Sequence, residues 1–185
     1  MANVDAGFGF VPIRHMSGNA PRTNKYTIGT GLAENIFKGD LVIVVAAGTI
    51  TPGNGSTEIS NIGVFDGCSY TASDGSYVYS EYWPSGTAAT NIIAYVYDDP
   101  FTVFKIQSAG TPAQEDIMDC ADVTVVAGST TTGQSKTTLT GAMSATSACC
   151  KIIAIHDTPD NAFGEFAVLE VLINEHLLAP NTAGI

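Results

Sequence analysis

Charge is scarce in this sequence, and positive charge is scarcest. Charged residues make up 14% of the 185 residues, against roughly one quarter in ordinary globular chains. Seven Lys/Arg face 18 Asp/Glu, for a formal net charge of -11. Between Leu41 and Phe104 there is no basic residue, while Glu58, Asp66, Asp74, Glu81, Asp98 and Asp99 fall in that stretch. Such a body is repelled by phosphate backbones, and the clustered Lys/Arg stripe of a nucleic-acid binder is missing, so nucleic acid is excluded as the main partner. Apolar runs long enough to span a membrane are also missing. The opening MANVDAGFG has neither a charged start nor an apolar run, so no secretory signal and no membrane partner are expected, and synthesis in a cytoplasm is. Cys68, Cys120, Cys149 and Cys150 are scattered, with one vicinal pair and no CxxC, and fit neither a zinc site nor a disulfide framework, which predicts buried reduced thiols. Catalytic signatures are absent too: there is no GxSxG elbow, HExxH or EF-hand loop. The P-loop-like Gly128–Ser135 has Gln134 where the phosphate-binding lysine belongs. No enzymatic activity and no cofactor are expected.

What is present points to β-structure. Apolar residues reach 45%, with 19 glycines and many Ser/Thr. The length suits one domain with an extended segment. Residues 1–35 carry Gly, Pro, Asn and Thr throughout and hold Arg14, Arg22 and Lys25, with Phe8, Phe10, Ile13 and Tyr26 as isolated apolar anchors. They read as an extended N-terminal arm that reaches at most ~100 Å at about 3.3 Å per residue, or one folded back on its own domain. Residues 36–185 read as the β domain. Short β-branched and aromatic runs bounded by Gly, Pro, Asn or Asp predict strands near 40–46, 62–70, 76–82, 92–97, 101–107, 122–127, 135–140, 149–156 and 165–174. Turns are predicted at Ser73-Asp74-Gly75 and Asp98-Asp99-Pro100. One short helix is predicted over 112–121, with Pro near its start and acids in its first turn. The fold class is therefore mainly β: a single antiparallel β-barrel or sandwich, a β-tulip arrangement included.

Three patterns are candidates for function. Leu41–Val45, Ile152–Ile155 and Ala167–Ile173, the last interrupted only by Glu170, are apolar on both faces, so each needs two covers; a neighbouring subunit is the expected second one, and the central strands of a small barrel give the same pattern without a partner. Val168, Val171 and Ile173 are the corresponding interface positions. His156, Asp157, Asp160 and Asn161, with His176, form the densest polar cluster, which turn chemistry explains better than metal ligation. Tyr70, Tyr77, Tyr79, Tyr82, Trp83, Tyr95, Tyr97, Phe101 and Phe104 form an aromatic group. They serve as core or interface or, for Tyr77, Tyr79, Tyr82 and Trp83, as a carbohydrate-stacking platform.

Read in order, the blocks MANVDAGFGF, VPIRHMSG, RTNKYTI, NIFKGD, GVFDGCSYT, YSEYWPSGT, AYVYDDPFTVF and PDNAFGEFAVLEVLINEHLL resemble small head proteins of tailed bacteriophages, particularly from aquatic bacteria. These are regarded as capsid decoration or cement proteins. The resemblance implies a homotrimer, assembled in the host bacterial cytoplasm and bound to the major capsid protein on the outer surface of the virion, where it locks capsomers together. The arm residues Phe8, Phe10, Ile13, Arg14, Arg22, Lys25 and Tyr26 are then the expected capsid-binding set. A head-fibre or tail-associated module shares the same features.

Overall fold

The computed structural model describes residues 3–55, 61–144 and 146–179. In chain order its strands are β1 (Val11–His15), β2 (Asn24–Tyr26), β3 (Ile36–Phe37), β4 (Leu41–Val44), β5 (Ile50–Pro52), β6 (Asn61–Ala72), β7 (Tyr77–Ser80), β8 (Tyr82–Trp83), β9 (Ala89–Tyr97), β10 (Thr102–Gln107), β11 (Cys120–Thr124), β12 (Thr138–Ser144), β13 (Cys150–Ile155) and β14 (Val168–Ile173). Sheet I runs β1-β10-β14-β13-β11-β12, sheet II runs β2-β9-β6-β4-β5 with β7 also on β6, and β3 pairs with β8 as a small sheet III. All these pairings are antiparallel. The architecture is a sandwich and not a closed barrel.

Alternation along the strands of sheet II explains the two-sided apolar runs. Val64 lies between Leu41 and Tyr97, and this row packs into a core shared with Phe104, Ile106, Leu169 and Val171 of sheet I. The next residue, Phe65, lies opposite Val96 and packs with Val42, Ile62, Ile36 and Trp83 in a second core on the other face. Sheet III and the segments around it are that second cover. The neighbouring subunit expected to cover Leu41–Val45 is therefore replaced by the chain itself. Of the expected interface positions, Val171 and Ile173 are buried in the first core and Val168 is half-buried, because β14 alternates and Leu169, Val171 and Ile173 share its inner face. Gly63 lets β9 approach closely: its φ of +147° suits glycine, and a Cβ there would collide with the Tyr97 carbonyl oxygen.

The N-terminal segment is extended but lies on its own domain. Phe10 is buried and meets Phe104 edge to face at 5.9 Å. The Gly9 N–H donates to the Thr137 carbonyl at 3.0 Å and the Phe10 N–H to the Gly39 carbonyl at 2.9 Å. β1 then edges sheet I, where Pro12 is tolerated, and β2 edges sheet II. Of the two readings of residues 1–35, the described residues follow the one folded back on its own domain, as two edge strands and a buried anchor.

The expected helix is also corrected. Only a 3₁₀ turn, Gln114–Asp116, forms between 112 and 121. The Asp116 carboxylate accepts from the Ala113 N–H at 2.6 Å, which closes one turn. Met118 then takes a φ of +78°, and its N–H donates to the Ile152 carbonyl at 3.0 Å, so the chain is drawn into the sheet as β11. The nine expected strands all appear, and the Ser73-Asp74-Gly75 turn closes β6 onto β7, with the Ala72 N–H donating to the Ser76 carbonyl at 2.9 Å.

Candidate functional site

β6 and β9 are long enough to run past sheet I. Their far halves and β7 form a three-stranded tip. One face of the tip carries Tyr70, Cys68, Ala94 and Val78 into the second core. The opposite face is an aromatic ledge. Tyr79 lies opposite Ser69 and Tyr95 opposite Gly67, and the two rings are 6.2 Å apart at 43°. The Tyr79 ring rests over Gly67, where a Cβ would stand 3.3 Å from its hydroxyl. Ser69 Oγ lies 3.4 Å from the Tyr95 hydroxyl. Tyr77 and Tyr79 are 69% and 61% exposed, and Lys25 lies opposite Tyr95 on the neighbouring strand. At the foot of the ledge Lys38 pairs with Asp66 at 3.1 Å. That ion pair raises the Lys38 pKa against the opposing effect of burial, which is the largest single influence.

The aromatic platform expected from sequence is half there. Trp83 is 0% exposed and packs edge to face on Tyr70 at 5.2 Å. Tyr82 stacks on Phe37 at 5.6 Å. The strand phase breaks between β7 and β8, where Ser80 Oγ donates to the Tyr82 carbonyl at 2.6 Å, so Trp83 turns inward. Its expected emission is blue-shifted and unquenched by iodide in the free protein, and a quenchable, red-shifted emission would contradict this placement.

A second surface is the outer face of sheet I. Arg14 lies opposite Val103, Lys105 lies between Val11 and Glu170, and Lys151 lies opposite Leu172. Arg14 contacts Glu170 at 2.8 Å, and His156 Nδ1 lies 3.1 Å from the other carboxylate oxygen. Phe101, 49% exposed, borders this face beside His15. Pro100, Phe101, Lys151, Leu172, Ile173, Asn174 and Ala179 enclose a socket of about 170 Å³.

The other expected site residues divide between surface and interior. Arg22 and Lys25 are exposed, and Phe8 and Ile13 are half-buried. Arg22 lines a cleft of about 260 Å³ with His15, Asn19, Ala20, Pro21, Asp99 and Thr102. Tyr26 is not a free anchor: its hydroxyl donates to Asp98 at 2.6 Å, and Asn24 donates to the same carboxylate at 2.9 and 3.0 Å. Burial and the Asp98 charge hold the Tyr26 phenol well above its usual range. The HDTPDN segment is a turn. Asn161 Nδ2 donates to the His156 and Val168 carbonyls at 2.7 and 2.9 Å. His176 is buried elsewhere, with the Leu178 N–H donating to its Nδ1 at 3.1 Å. Among the described residues no group of three or more His, Cys, Asp or Glu is arranged to hold a metal ion. The four cysteines are buried free thiols, and burial pushes Cys68 up to about 12.

These features define an antiparallel β-sandwich with an exposed aromatic ledge on one sheet and a cation-bearing outer face on the other. No protein family, curated protein or solved structure matches the chain.

Proposed function

We propose that this chain is a structural virion protein, a capsid decoration or cement subunit that binds the major capsid protein from outside the head as a homotrimer, without catalysis or cofactor. The ledge of Tyr77, Tyr79 and Tyr95 carries this reading. Large amphipathic rings held rigid on a sheet, two of them mostly exposed, are the side chains that dominate protein–protein contacts at low entropic cost. The sequence blocks that resemble tailed-phage head proteins supply the identity of the partner. Attachment moves from a free arm to this ledge with Lys25 at its margin, since Phe10 is in the core and Tyr26 is held by Asp98.

A carbohydrate-stacking role for the same ledge is the second reading, favoured by the exposed ring faces and weakened by the burial of Trp83. Quantitative mass spectrometry of purified heads tests the first. The expected result is a copy number matching the threefold and quasi-threefold positions of the shell. Absence from heads, or a few copies per head, would sink it. The double substitution Tyr77→Ala/Tyr79→Ala then separates the readings: loss of head binding supports decoration, and loss of glycan binding alone supports the rival.

A further inference from the structure

We infer that the outer face of sheet I is the contact between copies of this chain, and that it receives the acidic turn around Met118 of the next copy. The inference rests on the multimeric reading above and names the surfaces that build the multimer. The four strands β1, β10, β14 and β13 hold Arg14, Lys105 and Lys151, three of the seven Lys/Arg in the whole chain, and only one of its 18 acids, Glu170. These residues are far apart in sequence, and the strand register gathers them on one face. Arg14 is paired with Glu170. Lys105 and Lys151 have no ion-pair partner among the described residues. Around them lie apolar side chains and the socket formed by Pro100, Phe101, Leu172 and Ala179, with Lys151 at its rim. On a chain with a net charge of -11, such a face has its complement on every other copy.

That complement has a specific form. The segment Glu115, Asp116, Ile117, Met118, Asp119 contains one left-handed residue, Met118, which is 59% exposed. An exposed apolar side chain flanked in sequence by Glu115, Asp116 and Asp119 is the complement of an apolar socket edged by the Lys151 ammonium group. The knob borders β13, where the Met118 N–H donates to the Ile152 carbonyl, and the socket lies by Leu172 on the neighbouring strand; a head-to-tail contact of knob with socket closes the copies into a ring when the rotation permits. Ion pairs at the rim select the register, and the apolar side chains supply the buried area.

The test is the solution mass of the full chain by light scattering, with folding checked by circular dichroism. The native protein is expected to run as a multiple of 19.2 kDa and to dissociate as salt is raised. Lys105→Glu/Lys151→Glu and, separately, Glu115→Lys/Asp119→Lys are each expected to give folded monomers. An equimolar mixture of the two variants is expected to restore a mixed pair, because each retains the patch that matches the other. Met118→Gln is a charge-neutral lesion expected to weaken association at least tenfold. A native monomer at all concentrations overturns the inference. A multimer unmoved by either charge reversal also overturns it. A multimer that behaves as expected but does not bind heads upholds the contact and removes the decoration reading, so the two failures are distinguishable.

Discussion

Deletion of residues 1–35 is expected to leave no folded protein. The segment supplies Phe10 to the first core and Ile28 to the second. It also supplies edge strands to both large sheets. Losing one buried phenylalanine costs about 3–5 kcal/mol, and whole domains are stable by only about 5–15 kcal/mol. Removing Phe10 and Ile28 together with two strands therefore exceeds the available stability. The graded version is Phe10→Ala. It removes the edge-to-face contact with Phe104 and the seal between the N-terminal segment and sheet I, and should lower unfolding free energy by about 3–5 kcal/mol. Urea unfolding followed by circular dichroism measures both. A truncated chain with a cooperative transition near that of the intact protein would show that the segment is dispensable.

The second large effect is acid destabilisation through His176. Burial lowers its pKa to about 4, against the upward pull of Asp98 and Asp99 and of a hydrogen bond with the Ile62 backbone. Geometry agrees with the neutral form, because Nδ1 accepts a hydrogen bond from the Leu178 N–H and protonation there would replace an acceptor with a donor. In the unfolded chain the imidazole titrates near 6.5. The unfolded state therefore takes up a proton first as pH falls, and the folded state is penalised. This contribution to stability is complete above about pH 6.5 and is lost progressively towards pH 4. Over the whole window the loss is about 3 kcal/mol. Unfolding free energies at intervals from pH 7.5 to 4, compared with His176→Gln, isolate it. The substituted protein should be less stable at pH 7.5 and flatter between the two limits. Parallel pH curves for the two proteins would remove the His176 account.

Much of this fold is legible in the sequence because strands with strong alternation carry their own signal. Tyr77 and Tyr79 read as one face from spacing alone, and the nine longer strands follow from β-branched runs between turn residues. The strands that escape are short. β3 and β8 have two residues each and β2 and β5 have three, too few for a period, and β1 contains Pro12. What a two-sided apolar strand cannot say is whose atoms cover it. For Val42 and Phe65 the cover is Ile36 and Trp83, placed by contacts that no local pattern encodes. Trp83 itself was out of reach for a related reason, since the Ser80 hydrogen bond to Tyr82 resets the strand phase. The cations of sheet I were equally hidden: Arg14, Lys105 and Lys151 become neighbours only through the strand register. The acidic knob was visible as a charged segment but read as helix, because nothing local shows Met118 being captured by β13.

The proposed function is attachment to a protein shell through the aromatic face of Tyr77, Tyr79 and Tyr95. The decisive measurement is co-sedimentation of the purified full chain with phage heads lacking it, with double-stranded DNA and anionic vesicles as controls. Saturable binding to heads, lost in Tyr77→Ala/Tyr79→Ala, is expected, with no binding to DNA or vesicles. Failure to bind heads, or binding that follows DNA or lipid instead, would contradict it.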